Sequence, residues 1–550
     1  MPAHYLSSAA LGFSALRLAL ALATLLAFAL IWRRPRPVPA LIVVIALHVA
    51  AWLAYRVPLQ RPYGTGEGSD RTFNLGMAAS VAVGHSPFEH TQVGHGSPEP
   101  FWNAAVALLS GMRPERVPAA YDLLTPLALV GVGLATFVFL RGDGAEETSW
   151  RAVVIAFAVL GLSSLAMSPR PPVPPFWVAN FLYKPNHGFA YAFMAAAVGL
   201  CAGRDRVWPL AVVLGLLAWV FLVGWAYAVV GVLAAVAARP AVDRCWRPVL
   251  AAVALSCLAA APYVWHLARD YAPTQQAASA QHMWNDPNAL LLAVPNWSTL
   301  DLGPLLTAGA VGLWLCRRRA TRLEAAVVGF GLVAWGMWAA SLPLALAGFA
   351  PEPDELHYFL RFVMSLAAGM ALAAGAAGLA GVSVAGGRAH LLVMAACLPV
   401  VFPIYHDPFT MDRYFAESCQ PLPPKVVAYT GWIRDHTSPD AIFAAGRSAA
   451  MWIPALTGRR VLLAEAGRLR PADYEERKAV ERVLLTSSDP AAVRQAAQRY
   501  GVTHVAIDED LTHEYGAGSF ADLARAPCYR TVVANTAARV LELRGVGGAP

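Results

Sequence analysis

The sequence predicts a polytopic α-helical membrane protein of about twelve spans with a small C-terminal α/β domain outside the membrane. Three observations predict it. Of the 550 residues, 57% are hydrophobic and 14% charged, against about 25% charged in ordinary soluble domains. That excludes a soluble protein over most of the length. Apolar runs recur at lengths near the ~20 residues that cross a bilayer. Asp and Glu, almost absent from those runs, become frequent only in the last part of the chain. The expected organisation is a multi-span domain over 1–404, a linker over 405–424 and an extracytoplasmic α/β domain over 425–550.

The apolar runs lie at 8–32, 38–55, 117–140, 152–168, 188–203, 209–222, 225–238, 248–267, 303–316, 323–347, 359–381 and 390–404. The stretch 209–238 is too long for one simple span at about 1.5 Å per residue, so two short helices with a break near Gly224-Trp225 are expected. The first run lacks a basic segment before it and a small-residue cleavage site, and reads as a helix instead of a signal peptide. Arg clusters occupy alternate loops: Arg33-Arg34-Arg36, Arg141 with Arg151, Arg204 with Arg206, Arg239 to Arg247, Arg317 to Arg322, and Arg388. Positive charge in alternate loops marks the inner side. The loops 56–116, 169–187, 268–302 and 348–358 and everything after 404 then face outward. The net charge of +7 thereby serves topology, and nucleic acid is not an expected partner. Of the seven cysteines only Cys419 and Cys528 fall in the outer domain, where a disulfide is permitted.

Within 425–550, Ala441 to Ala445, Arg460 to Ala464 and Val502 to Ile507 read as short strands, and Pro471 to Leu485 as a charged helix. Asp489-Pro490 supplies an N-cap with proline at the first helical position, and Gly501 closes that helix. Tyr529 to Ala534 and Arg539 to Arg544 form a terminal hairpin pattern. No phosphate-binding glycine loop or nucleophile elbow is present, so the domain reads as a cap or lid.

The outer loop 56–116 carries the candidate active site. Glu67-Gly68-Ser69-Asp70 presents a carboxylate at the start of an amphipathic helix expected to lie along the membrane surface and to end at Gly84. The plain alternative is that Asp70 only caps that helix. Pro98-Glu99-Pro100-Phe101-Trp102 closes the loop, and His85, His90 and His95 read as solvated loop histidines. Phe101, Trp102, Phe176, Trp177, Trp284 and Trp297 suit either sugar stacking or an interfacial belt.

The order of Asp70, Phe73, small residues, Gly84 and Pro87-Phe88 after an early span resembles the first outer loop of the GT-C superfamily, the polytopic membrane glycosyltransferases that use lipid-linked sugars. His357-Tyr358-Phe359-Leu360-Arg361-Phe362, entering an Ala/Gly-rich span, is similar to the Arg-aromatic motif of many bacterial members. The span number, short inner loops and outer C-terminal domain match as well, so the resemblance covers most of the chain.

That resemblance implies a GT-C-like fold in a bacterial plasma membrane. It also implies transfer of a sugar from a polyprenyl-phosphate donor to an envelope glycan, lipid or protein acceptor at the outer face, with inversion. Asp70 would be the general base, with Arg361 and then Lys184 as the cations that bind the donor phosphate. Glu67, His187, Glu355 and His357 are secondary candidates for substrate binding or acid/base work. Arg361 is equally readable as snorkelling to headgroups, Lys184 as an interfacial anchor, and Asn186-His187 as a helix cap. Many members carry acidic residues and a divalent metal in the next outer loop, whereas Ser168 to His187 holds no Asp or Glu. No metal ligands are assigned, and a divalent metal stays open. The competing function classes are a multi-span transporter or flippase of envelope precursors and a non-catalytic assembly protein of the same fold. Polar features gathered in outer loops, away from the midplane, weigh against the transporter.

Overall fold

A computed structural model describes residues 70–140, 185–203, 207–240, 244–271, 304–318, 321–346, 359–371, 424–464, 471–508, 511, 520, 523–535 and 538–544. The expected spans at 8–32, 38–55, 152–168 and 390–404 and the linker lie outside these residues. In chain order the helices are α1 (Asp70–Ala82), α2 (Pro100–Leu109), α3 (Val117–Leu140), α4 (Pro185–Ala202), α5 (Val207–Val220), α6 (Leu222–Ala238), α7 (Trp246–His266), α8 (Pro304–Cys316), α9 (Arg322–Leu346) and α10 (Phe359–Ala371). They continue as α11 (Pro424–His436), α12 (Arg447–Thr457), α13 (Tyr474–Thr486) and α14 (Pro490–Tyr500). The strands are β1 (Ile442–Ala445), β2 (Arg460–Val461), β3 (His504–Asp508), β4 (Tyr529–Ala534) and β5 (Ala538–Leu543). Among the described residues, Trp246–Tyr271 and Arg322–Ala340 are long and apolar enough to cross a membrane.

The chain forms two compact units. One comprises Met1–Leu59, Leu124–Ala261 and His282–Glu417; the other comprises Gln60–Leu123, Pro262–Gln281 and Ser418–Pro550.

The first unit is helical. Its core gathers Tyr191 and Met194 of α4, Leu214 of α5, Tyr227 and Val232 of α6, Phe330 of α9 and Phe359 and Phe362 of α10. Apolar helices in an apolar surround gain little from hydrophobic transfer and associate by close packing, which small residues permit. Gly329 of α9 follows this rule: a Cβ there would stand 2.4 Å from the Ala235 backbone nitrogen of α6. Gly312 of α8 meets α10 in the same way, its Cβ position 1.9 Å from the Ala367 carbonyl oxygen. Two arginines of the loops assigned inward also cap α4. Arg239 donates to the Cys201 carbonyl and Arg322 to the Gly203 carbonyl at 3.1 Å, placing cations at the negative end of that helix. The break in 207–238 falls at Phe221, not at the expected Gly224-Trp225. Phe221 is extended (φ −158°, ψ 95°), and Gly224 lies inside the helix, where its lack of a Cβ makes room for the Phe221 ring; a Cβ there would stand 2.6 Å from it.

The second unit joins the segment 70–116 to the C-terminal α/β residues. Its sheet runs β2-β1-β3-β5-β4, with β2, β1 and β3 parallel and β5 and β4 antiparallel. The Asp489 side chain accepts from the Ala491 backbone N–H at 3.0 Å, Pro490 opens α14, and Gly501 closes it at φ +69°, as the sequence indicates. The helices α11 and α12 were not anticipated. The edge strand β2 is covered by the segment around Thr91–Val93: Val461 N–H donates to Thr91 carbonyl at 2.9 Å and Val93 N–H to Val461 carbonyl at 3.1 Å. Ala464 N–H adds a bond to Gln92 Oε1 at 3.1 Å, so the edge is not left to pair with another chain.

The helix after Asp70 forms as expected, and Gly84 follows it at φ +107°. It is not the amphipathic surface helix that its sequence suggests. From Leu75 to Ala82 its residues are buried on all sides, between α2 and α12. Gly76 packs against Pro454 of α12, with a Cβ position 3.0 Å from the Pro454 Cβ. The polar residues that give the helix its amphipathic look, Thr72, Asn74 and Ser80, are themselves buried. Cys528 is a buried free thiol; Cys419 lies outside the described residues.

Candidate functional site

In the first unit the candidate residues lie where α4 and α10 begin. The α10 sequence Phe359-Leu360-Arg361-Phe362 surrounds one cation with apolar groups, and Arg361 is 5% exposed. Its carbonyl accepts from Ser365 Oγ at 2.8 Å. Removing a guanidinium from water costs several kcal/mol, which is recovered only through acceptors or an anion. The flanking rings are fixed by stacking. Phe359 lies on Tyr227 at 4.4 Å, Phe362 on Tyr191 at 5.7 Å, and Tyr227 meets Phe330 edge-on while its hydroxyl donates to the Phe330 carbonyl at 3.1 Å.

Phe221, at the break between α5 and α6, bridges the two helix starts. Its ring centroid is 6.1 Å from Phe359 and 4.5 Å from His187. The structure thus gathers His187 and the Arg361-bearing turn around one aromatic cluster. Asn186 and His187 are both buried. Nothing in the sequence marked Phe221, which sits in an uninterrupted apolar run; its extended backbone is what aims the ring.

In the second unit Asp70 is the first residue of α1, with its backbone described but not its side chain. Glu67, Lys184, Glu355 and His357 lie outside the described residues, as do Phe176, Trp177, Trp284 and Trp297. The loop after α1 is held by the C-terminal end of α7. Tyr263 hydroxyl donates to the Pro98 carbonyl, His266 Nε2 bonds the Ser97 carbonyl at 2.9 Å, and Gly96 N–H donates to the Asp270 carbonyl at 3.1 Å. His266 Nδ1 faces Asp270 Oδ2 at 3.1 Å. Sequence reasoning missed this clasp, whose parts are about 170 residues apart in the chain.

His90 and His95 are not the solvated loop residues expected. His90 is 3% exposed, its Nδ1 accepts from the Gln92 backbone N–H at 2.8 Å, and its ring lies 4.8 Å from Phe73. Burial, then His95 and Arg477, pushes His90 down to about 3; burial and Arg477 take His95 to about 4. Arg477 is held by Asp473 at 2.8 Å and by the Leu462 carbonyl at 2.9 Å. The imidazoles are neutral packing groups beside a fixed cation, a poor setting for a metal ion. Among the described residues no group of three or more His, Cys, Asp or Glu side chains is placed to hold one.

The fold is similar to that of solved polytopic membrane proteins whose likeness to this chain lies in the structure and hardly in the sequence. No family profile matches the sequence. No curated protein matches it either. The chain is similar to the crystal structure of ArnT from Cupriavidus metallidurans bound to undecaprenyl phosphate, at 14% identity and a TM-score of 0.53 over 92% of this chain and 99% of that one. The apo state of the same protein matches at 13% identity and a TM-score of 0.51, over 91% and 99%. The Archaeoglobus fulgidus oligosaccharyltransferase in complex with Zn and sulfate aligns at 14% identity and a TM-score of 0.47, over 88% of this chain and 71% of that one.

Proposed function

We propose that the chain is a multi-span membrane glycosyltransferase of about twelve spans, its C-terminal domain outside the membrane. It moves a sugar from a polyprenyl-phosphate donor to an envelope acceptor at the outer face. The observation that carries the reading is Arg361: a buried cation at the start of an apolar helix, between Phe359 and Phe362, which stack on Tyr227 and Tyr191, in a fold shared with a protein solved with undecaprenyl phosphate bound. A planar cation in a low-dielectric setting suits a phosphate whose tail lies in lipid.

The chemistry is a single displacement. The acceptor oxygen or nitrogen attacks the anomeric carbon, the carbon–oxygen bond to phosphate breaks, and its electron pair leaves with the phosphate. Asp70 takes the acceptor proton, Arg361 neutralises the charge growing on the leaving phosphate, and Lys184 is the second cation. One displacement inverts the anomeric centre. His187, on the same aromatic cluster as the Arg361 turn, is a sugar-contacting candidate; Glu67, Glu355 and His357 keep secondary roles.

The test is transfer of labelled sugar from a polyprenyl-phosphate donor in membranes containing wild type or Asp70→Asn. Wild-type transfer with loss of about 10²-fold or more in the variant is expected for removal of a general base. Equal rates in two folded proteins would remove Asp70 from the mechanism, and no transfer by wild type to any envelope fraction would remove the function.

A further inference from the structure

The segment from Leu108 to Arg116 is accounted for by neither the fold nor the site. Helix α2 is apolar apart from Asn103, and its Trp102, Asn103, Val106 and Ala107 face is buried. At its end, however, Leu108 is 69% exposed, Leu109 51% and Met112 43%. Met112 is the one described non-glycine residue with positive φ, at 58°, and it follows Gly111 at φ 68°. A left-handed backbone at a bulky apolar residue costs about 1 kcal/mol, so the turn spends stability to hold that side chain out. Arg113 and Arg116 flank it, both exposed, with Glu115 between them. The chain then enters α3, 24 residues long and without a charge after Asp122.

We propose that Leu108, Leu109 and Met112 insert into the headgroup and upper acyl layer of an anionic lipid bilayer, with Arg113 and Arg116 bound to lipid phosphates. Apolar side chains beside two arginines, one turn before an apolar helix of bilayer length, match the composition of an interfacial anchor. Phosphate groups above hydrocarbon satisfy both sets of side chains at once, which a protein groove would do only by pairing each guanidinium separately. The anchor reassigns the surface role from α1, which is buried, to the end of α2. The inference depends on the membrane placement proposed above and not on sugar transfer.

The test uses the full chain in nanodiscs, with a fluorescent unnatural amino acid at Leu109 and, as control, at the exposed Arg494 of α14. Quenching by lipids labelled near the headgroup, strong at Leu109 and absent at Arg494, is the expected result. In phosphatidylglycerol discs, Arg113→Gln with Arg116→Gln should reduce the Leu109 signal to its level in phosphatidylcholine discs. Quenching by aqueous iodide instead would overturn the proposal. So would protection from both quenchers, which marks a protein partner, and so would equal signals in the two lipids. Extraction with alkaline carbonate separates the two readings: release of the wild type overturns the membrane placement, whereas retention without lipid quenching overturns the anchor alone.

Discussion

The Asp508 carboxylate caps helix α12 from the end of strand β3: its Oδ2 accepts the Ala449 backbone N–H at 2.8 Å while its Oδ1 accepts that of Leu511 at 3.0 Å. The group is 6% exposed, and Gly446, the residue before α12, leaves room for it; a Cβ there would lie 2.0 Å from Oδ1. The end of adjoining parallel strands, facing a helix N-terminus, is where many α/β domains hold a ligand phosphate. Here the chain fills that position with its own carboxylate, in keeping with a sequence that has no phosphate-binding loop.

Asp508→Ala strands two buried N–H groups and removes a cap, so a loss of about 1–3 kcal/mol is expected. Asp508→Asn keeps one acceptor and should lose less. Gly446→Ala should destabilise as well, because the new methyl displaces the carboxylate. Limited proteolysis and thermal scans of the three variants give the ranking; an unchanged Asp508→Ala midpoint would show the cap to be dispensable.

Acid sensitivity should trace to the buried His90 and the half-buried His95. Both fold with pKa values depressed below the ordinary 6.5, to about 3 for His90 and about 4 for His95. Below pH 6.5 the unfolded chain therefore binds protons that the folded chain refuses, and stability falls as the pH drops. The fall continues until about pH 4 for His95 and about pH 3 for His90. In His90→Asn the new Oδ1 takes the place of Nδ1 as acceptor from Gln92, and one titrating group is gone. Its midpoint plotted from pH 7 to pH 4 should be flatter than wild type; parallel curves would exclude His90 as a source of the acid loss.

What the sequence made legible was local. Asp489-Pro490 with Gly501, the terminal hairpin and the helix from Asp70 to Gly84 each carry their signal within a dozen residues, and the structure forms them there. Contacts between distant segments were not legible. The burial of α1 comes from α12, about 380 residues later, and α12 itself hides behind an internal Pro454. The break at Phe221 fell three residues from Gly224 because packing of the ring, not glycine's freedom, decides it. At the candidate site the charged residue types were readable, and the aromatic cluster that joins His187 to the Arg361 turn was not, since aromatic residues in apolar runs carry no marker of contact.

Two glycines of α9 provide a controlled pair. A Cβ at Gly329 would meet α6 backbone at 2.4 Å, whereas one at Gly336 meets nothing within 4 Å among the described residues. Gly336→Ala should stabilise by about 0.5–1 kcal/mol through helix propensity. Gly329→Ala gains the same propensity but must push two helices apart, for a net loss of about 1–3 kcal/mol. Thermal midpoints in one detergent should move in opposite directions; a rise in both would mean that α6 and α9 do not approach so closely.

Arg361 admits a sharper test than loss of activity. If it only anchors its helix to lipid headgroups, any cation serves, and Arg361→Lys should behave as wild type. If it binds the donor phosphate through its planar fork, lysine keeps the charge and loses the paired geometry, so Arg361→Lys should fall between wild type and Arg361→Gln. For Arg361→Gln, loss of a charge-assisted contact to the leaving phosphate corresponds to about 10²–10³ in kcat/KM. The division between constants matters too. Charge on the phosphate rises as the bond to the sugar breaks, so kcat should drop along with any increase in KM for the donor. Transfer rates measured against donor concentration for the two variants, each checked for wild-type elution in detergent, separate the cases. A raised KM with kcat intact would make Arg361 a binding residue only, and unchanged constants in both variants would return it to the role of a headgroup anchor.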